Sequence, residues 1–180
     1  MMAENQDTQP AEIRFLTGDD AEAYWKIRLE ALEFDPQAFS ASAEEHRKLS
    51  FNDVKARLSS DPVNNFVVGA FLEGALAGTA GFFREPGIKS RHKGRIWGVY
   101  LTAAARGKGI GRSMMRAILA RAAKVSGVEQ IMISVTATQV AAISLYRSLR
   151  FETWGHEVRA LKIGDRYIDE RYMVLHLGQN

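Results

Sequence analysis

The chain has 180 residues, 46% hydrophobic and 25% charged, which is typical of one globular domain that is not membrane-embedded. Its net charge of +3 is weak and no long run of Lys and Arg occurs, so we expect no nucleic-acid partner. The absence of cysteine excludes disulfides, a cysteine nucleophile and thiolate metal sites. No apolar run is long enough to cross a membrane, and we expect a cytoplasmic protein without a membrane partner.

The first third of the chain is predicted to be a short strand followed by helices. Residues 1–10 are polar and are expected to form a disordered tail before a single domain over residues 11–180. A strand is predicted over residues 13–16, and Thr17-x-x-Asp20 approximates a capping box for a first helix. That helix must stop at Pro36. Two more cap signals, Ser42-x-x-Glu45 and Ser50-x-x-Asp53, predict a second helical region broken near Ser50.

The remainder of the chain alternates predicted hairpins with helices. Strands are predicted over residues 66–72, 75–83, 95–101, 131–135, 151–163 and 167–177, with tight turns at Glu73-Gly74 and Gly164-Asp165. A third helix starts at Ile110 and is expected to end at Gly127, and a fourth spans residues 141–149. Hairpins mixed with helical crossovers indicate a mixed sheet flanked by helices.

The turn before the third helix contains the pattern Gly107-x-Gly109-x-Gly111. Glycines let a ligand approach the backbone, and the free amides at a helix N-terminus attract anions. Arg106, Lys108 and Arg112 add positive charge beside these amides. The turn therefore predicts a phosphate-containing ligand, although a basic helix entry without a ligand has the same pattern. The spacing differs from both the dinucleotide-binding pattern and the P-loop.

The segment Arg106-x-x-Gly109-x-Gly111 resembles the acetyl-CoA pyrophosphate loop of the GNAT superfamily of N-acetyltransferases. The element order is similar to that family across nearly the whole chain, and the first-helix region carries similar Arg28-Leu29 and Pro36-x-Ala38-Phe39 stretches. A stretch that usually reads Asn-x-x-Ala-x-x-Leu-Tyr corresponds to residues 139–146, with Gln139 in place of Asn. Arg150 replaces an expected glycine, so a left-handed helix cap there would be strained.

The resemblance implies an α/β (mixed α+β) fold of GNAT type, with a mostly antiparallel twisted sheet of about seven strands and about four helices. It also implies acetyl-CoA as cosubstrate and direct attack by a primary amine of a small molecule or peptide. The residues that would bind acetyl-CoA are Val99, Tyr100, Leu101, Arg106, Gly107, Lys108, Gly109, Gly111, Arg112, Gln139, Ala142 and Tyr146.

Tyr146 corresponds to the tyrosine that acts as general acid in the family, and it would protonate the departing thiolate. Unperturbed phenols and thiols have pKa values of roughly 10 and 8.5, so this transfer is feasible but weakly driven. The helical pattern by itself favours an ordinary core residue, and the Leu145-Tyr146 pair together with the glycine loop favours the acid.

Contacts to the acceptor are expected from the first helix and the closing hairpin, with Arg28, Glu33 and Glu157 as candidates. The family's base position falls near Arg95, which cannot act as a base, so the base stays unassigned. Other acidic or imidazole groups that could line the acceptor side, each also a plausible surface residue, are Glu85, His92 and Asp169.

No metal is expected, since the four histidines lack metal-ligand spacing. A homodimer is left open. Two other functions compete with acetyl transfer. A non-catalytic acyl-CoA-binding module would account for the missing base, and a nucleotide-phosphate enzyme would use the same glycine loop.

Overall fold

The computed structural model describes residues 10–178, so all but the last residue of the predicted tail lies outside the described residues. The helices are α1 (Ala21–Phe34), α2 (Ala43–Arg47), α3 (Phe51–Ser59), α4 (Ile110–Ala122) and α5 (Val140–Ser148). The strands are β1 (Glu12–Phe15), β2 (Asn65–Leu72), β3 (Ala75–Arg84), β4 (Lys93–Leu101), β5 (Gln130–Thr136), β6 (Glu152–Ile163) and β7 (Arg166–His176).

The seven strands form one sheet in the order β1-β2-β3-β4-β5-β7-β6. All neighbouring strands are antiparallel except β4 and β5, which run parallel because α4 crosses between them. This is the predicted mixed, mostly antiparallel sheet. The second helical region divides into α2 and α3, so the described residues contain five α-helices.

Alternation along the strands supplies a core on each face of the sheet. In β2, Phe66 and Val68 pack in the cluster that contains α4 residues such as Met114 and Ile118. Val67, between them, packs with Tyr24 of α1 and Val54 of α3. Successive side chains of a strand point to opposite faces, so α4 covers one face and α1 and α3 cover the other.

Local capping chemistry sets the helix starts. Ser42 with Glu45 and Ser50 with Asp53 each form a capping box, as the sequence predicts. Thr17 and Asp20 also form one, but it caps a 3₁₀ turn, Gly18–Asp20, that leads into α1. The Asp20 carboxylate additionally binds Arg14 through two hydrogen bonds of 2.7 and 2.9 Å.

The ends of α4 and α5 show how the chain leaves a helix. The prediction that α4 continues to Gly127 is wrong, because tighter turns close it at Ala122 and Gly127 lies in the loop that follows. After α5, Arg150 has a φ of +72°, so this position is left-handed without a glycine. Such a conformation costs a non-glycine residue about 1–2 kcal/mol.

Candidate active site between β4 and β5

Strands β4 and β5 separate halfway along their length. Their parallel pairing runs from Lys93 with Gln130 to Ile96 with Ile133, and within residues 10–178 it goes no further. On its other edge β4 stays paired with β3 as far as Leu101. Residues 97–101 therefore present an edge that has no strand partner, and an extended ligand could pair with such an edge.

A bulge at Gly98 accompanies this separation. Gly81 of β3 faces Trp97 and Thr79 faces Tyr100, so two residues of β4, Gly98 and Val99, lie opposite one residue of β3. Gly98 has a φ of +62°, which a residue with a Cβ adopts only with strain. The bulge thus lies just after Ile96, the last residue of β4 that pairs with β5.

A cleft of about 440 Å³ follows this free edge, and we call it the β4 cleft. Its walls come from the segment that follows α1, from β4 and β5, from the glycine loop and from α5. Of the residues predicted to bind acetyl-CoA, those that line it are Val99, Tyr100, Leu101, Arg106, Gly107, Gly109, Gly111, Arg112, Gln139, Ala142 and Tyr146. Lys108 is exposed and lies outside this lining.

The glycine loop forms the cleft end nearest α4. Gly109 is the N-cap of α4, with φ +76° and no side chain to cap the first amides. Helix amides at this end have no intrahelical partner and, with the helix dipole, favour an anion. Arg106 donates to the Leu101 carbonyl at 3.0 Å, and Arg112 donates to the Ser148 hydroxyl at 2.9 Å. The two guanidinium groups are thus fixed beside the amides, and this end suits phosphate groups.

The fit of the cleft to acetyl-CoA is supported by the shape of its backbone. A Cβ at Gly109 would meet no protein atom within 4 Å, so the space above this residue is open to a ligand. At Gly111 a Cβ would lie 3.2 Å from Leu101, so the first turn of α4 packs closely against the end of β4. The open space at Gly109 suits a pyrophosphate. The close packing at Gly111 brings the loop next to the end of β4, so an extended arm can continue from the loop along residues 97–101.

Tyr146 lies at the inner wall of the β4 cleft. Its side chain is buried, and its ring centroid is 6.0 Å from that of Phe151. Burial raises the pKa of the Tyr146 phenol above its ordinary value, because the phenolate would lose hydration. The hydroxyl therefore stays protonated at neutral pH and is available as a donor.

The α5 entrance departs from the expected pattern in an informative way. Gln139 donates from Nε2 to Oδ2 of Asp35 at 2.8 Å, and both residues line the cleft. This bond joins the end of α1 to the start of α5. The sequence identified Gln139 as a cleft residue but gave no signal for its partner.

A second cavity of about 590 Å³ adjoins the cleft, and we call it the α1 cavity. Its lining includes Arg28 of α1, His46 of α2 and Glu170 of β7. The residues shared by both linings are Ala38, Phe39, Trp97, Gly98 and Ser134. The two spaces thus meet where β4 and β5 separate.

The structure separates the three predicted acceptor contacts. Arg28 lines the α1 cavity, but Glu33 and Glu157 line neither space. Glu33 forms an exposed ion pair with Arg47, and Glu157 accepts a hydrogen bond from the Tyr172 hydroxyl.

The candidate bases from the sequence are engaged elsewhere. Glu85 pairs with Arg95, and Asp169 accepts from His156 at 3.0 Å and from the Arg159 amide at 2.9 Å. His92 lies in the loop before β4, and neither space includes it.

Sequence reasoning missed Glu170, a carboxylate in the wall of the α1 cavity. Burial raises its pKa, and the negative charge of Glu157, its cross-strand neighbour, raises it further. The alternation of side chains along β7 was the available signal in the sequence. It places Glu170 on the cavity side only when the register of β7 with β5 and β6 is known.

Within the described part of the chain, no group of three or more His, Asp or Glu residues is arranged to hold a metal ion. Over residues 10–178, no helix combines the length and apolarity needed to span a bilayer.

Known proteins provide an independent comparison. The family model described as Acetyltransferase (GNAT) family matches residues 23–151. No curated protein matches the chain. Solved structures do, among them an acetyltransferase of the GNAT family from Streptococcus pneumoniae, with 20% identity, a TM-score of 0.84, and coverage of 93% of this chain and 99% of that one.

Two further structures were solved with acetyl-CoA. The putative acetyltransferase yncA from Salmonella typhimurium has 21% identity, a TM-score of 0.83 and 96% coverage of each chain. A phosphinothricin acetyltransferase from Sinorhizobium meliloti has 24% identity, a TM-score of 0.81, and coverage of 94% of this chain and 90% of that one. These likenesses support the fold, and the family match covers most of the chain. The chain therefore belongs to the GNAT family, and it is an acetyltransferase.

Proposed function

We propose that this acetyltransferase transfers the acetyl group of acetyl-CoA to a primary amine of a small molecule or peptide. The observation that carries the proposal is the meeting of the β4 cleft and the α1 cavity at five shared residues. A transfer enzyme needs two binding spaces that touch at the reacting atoms. A module that only bound acyl-CoA would need the cleft alone.

Acetyl-CoA is the cosubstrate, and it supplies an acetyl group activated as a thioester. The amides at the start of α4, with Arg106 and Arg112, hold the pyrophosphate. The free edge of β4 pairs with the amides of the pantetheine arm in the manner of an added strand. A backbone amide near Tyr100 polarises the thioester oxygen as negative charge develops there.

The reaction forms one bond and breaks one. The neutral amine attacks the carbonyl carbon, a nitrogen–carbon bond forms, and the carbon–sulfur bond breaks to release CoA thiolate. The nitrogen loses a proton and the sulfur gains one. Tyr146 donates its proton to the sulfur, and Glu170, at the wall of the α1 cavity, accepts the proton that the attacking nitrogen loses, directly or through water. Proton exchange with water then restores the Tyr146 hydroxyl and the Glu170 carboxylate. A raised pKa brings a carboxylate closer to the value that suits a general base.

Two measurements together test this proposal. Calorimetry measures binding of acetyl-CoA, and a thiol assay measures CoA release with a panel of amino acids, polyamines and short peptides with free N-termini. We expect amine-dependent release of CoA together with an N-acetylated product identified by mass spectrometry. Tight acetyl-CoA binding without product from any amine would instead favour a binding module. Displacement of acetyl-CoA by ATP at similar concentrations would favour the nucleotide alternative.

A further inference from the structure

The α1 cavity contains a cation without a counter-ion. The Nη1 atom of Arg28 is buried and has no hydrogen-bond partner within residues 10–178. Arg28 takes part in none of the ion pairs formed in that part of the chain. Arginine keeps its charge in proteins, so a half-buried guanidinium without an ion-pair partner lines the cavity at this point.

The guanidinium lies where the cavity meets the β4 cleft. Its Cζ is 4.6 Å from the centroid of the Phe39 ring, a residue that lines both spaces. Its Nη1 is 3.5 Å from the point that a Cβ on Gly98 would occupy. An anion bound by Arg28 would therefore be close to the bulge in β4, beside the site of acetyl transfer.

The surroundings favour an anion and do not supply one. Burial lowers the pKa of Arg28. Burial also lowers the pKa of His46, and the positive charges of Arg28 and Arg57 lower it further. The cavity also contains Glu45 and Glu170. The Glu45 carboxylate accepts from the Ser42 amide in the cap of α2, and Glu170, assigned above as the base, forms no ion pair with Arg28 within residues 10–178. A buried charge without a partner is costly, and a carboxylate that binds the planar fork of a guanidinium removes that cost.

We propose that the acceptor is an α-amino acid, or an analogue of one, whose carboxylate binds the guanidinium of Arg28 and whose amine is directed to the β4 cleft. This inference rests on the proposed function. In an α-amino acid one carbon atom separates the amine from the carboxylate. Because the guanidinium of Arg28 adjoins the reaction site, a carboxylate bound to it places the amine close to that site. The rest of the cavity, with Leu32, Leu49 and Val54 in its wall, receives the side chain.

The test compares each standard α-amino acid with its own carboxamide, which keeps the amine and removes the negative charge. For the best acid we expect kcat/KM at least about 10-fold above that of its carboxamide, since a charged hydrogen bond is lost in the amide. Arg28→Gln should reduce this ratio to about one, and Arg28→Lys should restore part of it. Arg47→Gln is the matched control, because its exposed side chain lines neither space and the ratio should not change.

A second readout does not depend on turnover. The preferred amino acid should raise the melting temperature of the wild type but not that of Arg28→Gln, while acetyl-CoA should bind both with equal affinity. The inference is overturned if no acid is preferred to its carboxamide, or if Arg28→Gln keeps the preference. If the enzyme acetylates only amines that lack a carboxylate, the proposed function stands and this inference is refuted. Absence of product with every amine would refute the proposed function itself.

Discussion

The substitution Gly109→Ala tests backbone strain and ligand binding at one position. It has a φ of +76° at the start of α4, and a Cβ there would meet no protein atom within 4 Å. Gly109→Ala therefore costs only the left-handed conformation, about 1–2 kcal/mol of folding free energy. For a chain of this length each kcal/mol lowers the melting temperature by about 2–4 °C.

The loss of binding free energy for CoA should exceed the loss of folding stability, because the new methyl group occupies the space that the pyrophosphate needs. Loss of one charge-assisted hydrogen bond costs about 1.5–3 kcal/mol, which corresponds to a rise in the Kd for CoA of about 10-fold to about 150-fold. Gly74→Ala is the control. Gly74 has a φ of +81° in the β2–β3 turn, has the same open space, and lines neither cavity.

Calorimetry with CoA and thermal unfolding should therefore give different results for the two variants. Both should lose similar stability, and only Gly109→Ala should lose affinity. If folded Gly109→Ala binds CoA as tightly as Gly74→Ala does, the pyrophosphate does not lie against this loop.

Three other substitutions test the acid, the base and the fold. Tyr146→Phe should lower kcat by roughly 10²–10⁴-fold, with CoA affinity retained. Because burial raises the pKa of Tyr146, any alkaline limb that this group causes lies above about pH 10 and should be absent from the variant. Glu170→Gln should lower kcat/KM and remove the acidic limb, because the wild-type base works only above its pKa, which burial raises. Asp20→Asn should cost about 1–2 kcal/mol of unfolding free energy in urea at pH 7, since two bonds to Arg14 become weaker.

Each of these has a distinct contrary result. A Tyr146→Phe enzyme with full kcat, where chemistry is rate-limiting, would leave Tyr146 as a packing residue. An acidic limb that persists in Glu170→Gln belongs to another group. For Asp20, Arg14 lowers the carboxyl pKa, so the stabilisation is present above the unfolded value of about 3.9 and is lost as the pH falls through the folded value. A stability difference that stays constant down to pH 2 would contradict the role of this ion pair.

Sequence reasoning succeeded where the signal is local. The capping boxes at Ser42 and Ser50 and the glycine loop before α4 each depend on residues within one turn, so their chemistry is visible in the chain order.

Helix geometry limits which of the predicted acceptor contacts can be correct together. Arg28 and Glu33 are five residues apart, about 140° around α1, so they could not both face one cavity.

Prediction failed where side chains meet through the register of distant strands. Glu170 reaches the α1 cavity only because β7 lies beside β5. The β6 residue that lies opposite it, Glu157, is determined by register shifts in the β6–β7 pairing. The bond from Gln139 to Asp35 joins segments that lie 104 positions apart. The single domain over residues 11–180, the cytoplasmic location and the homodimer stay predictions.

The bulge at Gly98 makes the active site depend on the number of residues in β4 as well as on their identity. Trp97 and Tyr100 are three positions apart, yet both pack on the α1 side of the sheet, whereas Val99 and Leu101 pack on the α4 side. Removal of Gly98 would restore strict alternation and leave every later side chain on its present face, because Val99 would then follow Trp97 directly. The side chains would keep their faces, but the local distortion of the strand would be lost, and β4 could continue its ladder with β5. Substitutions in this strand therefore alter the lining of the active site, whereas deletion of Gly98 would close the free edge that the β4 cleft follows.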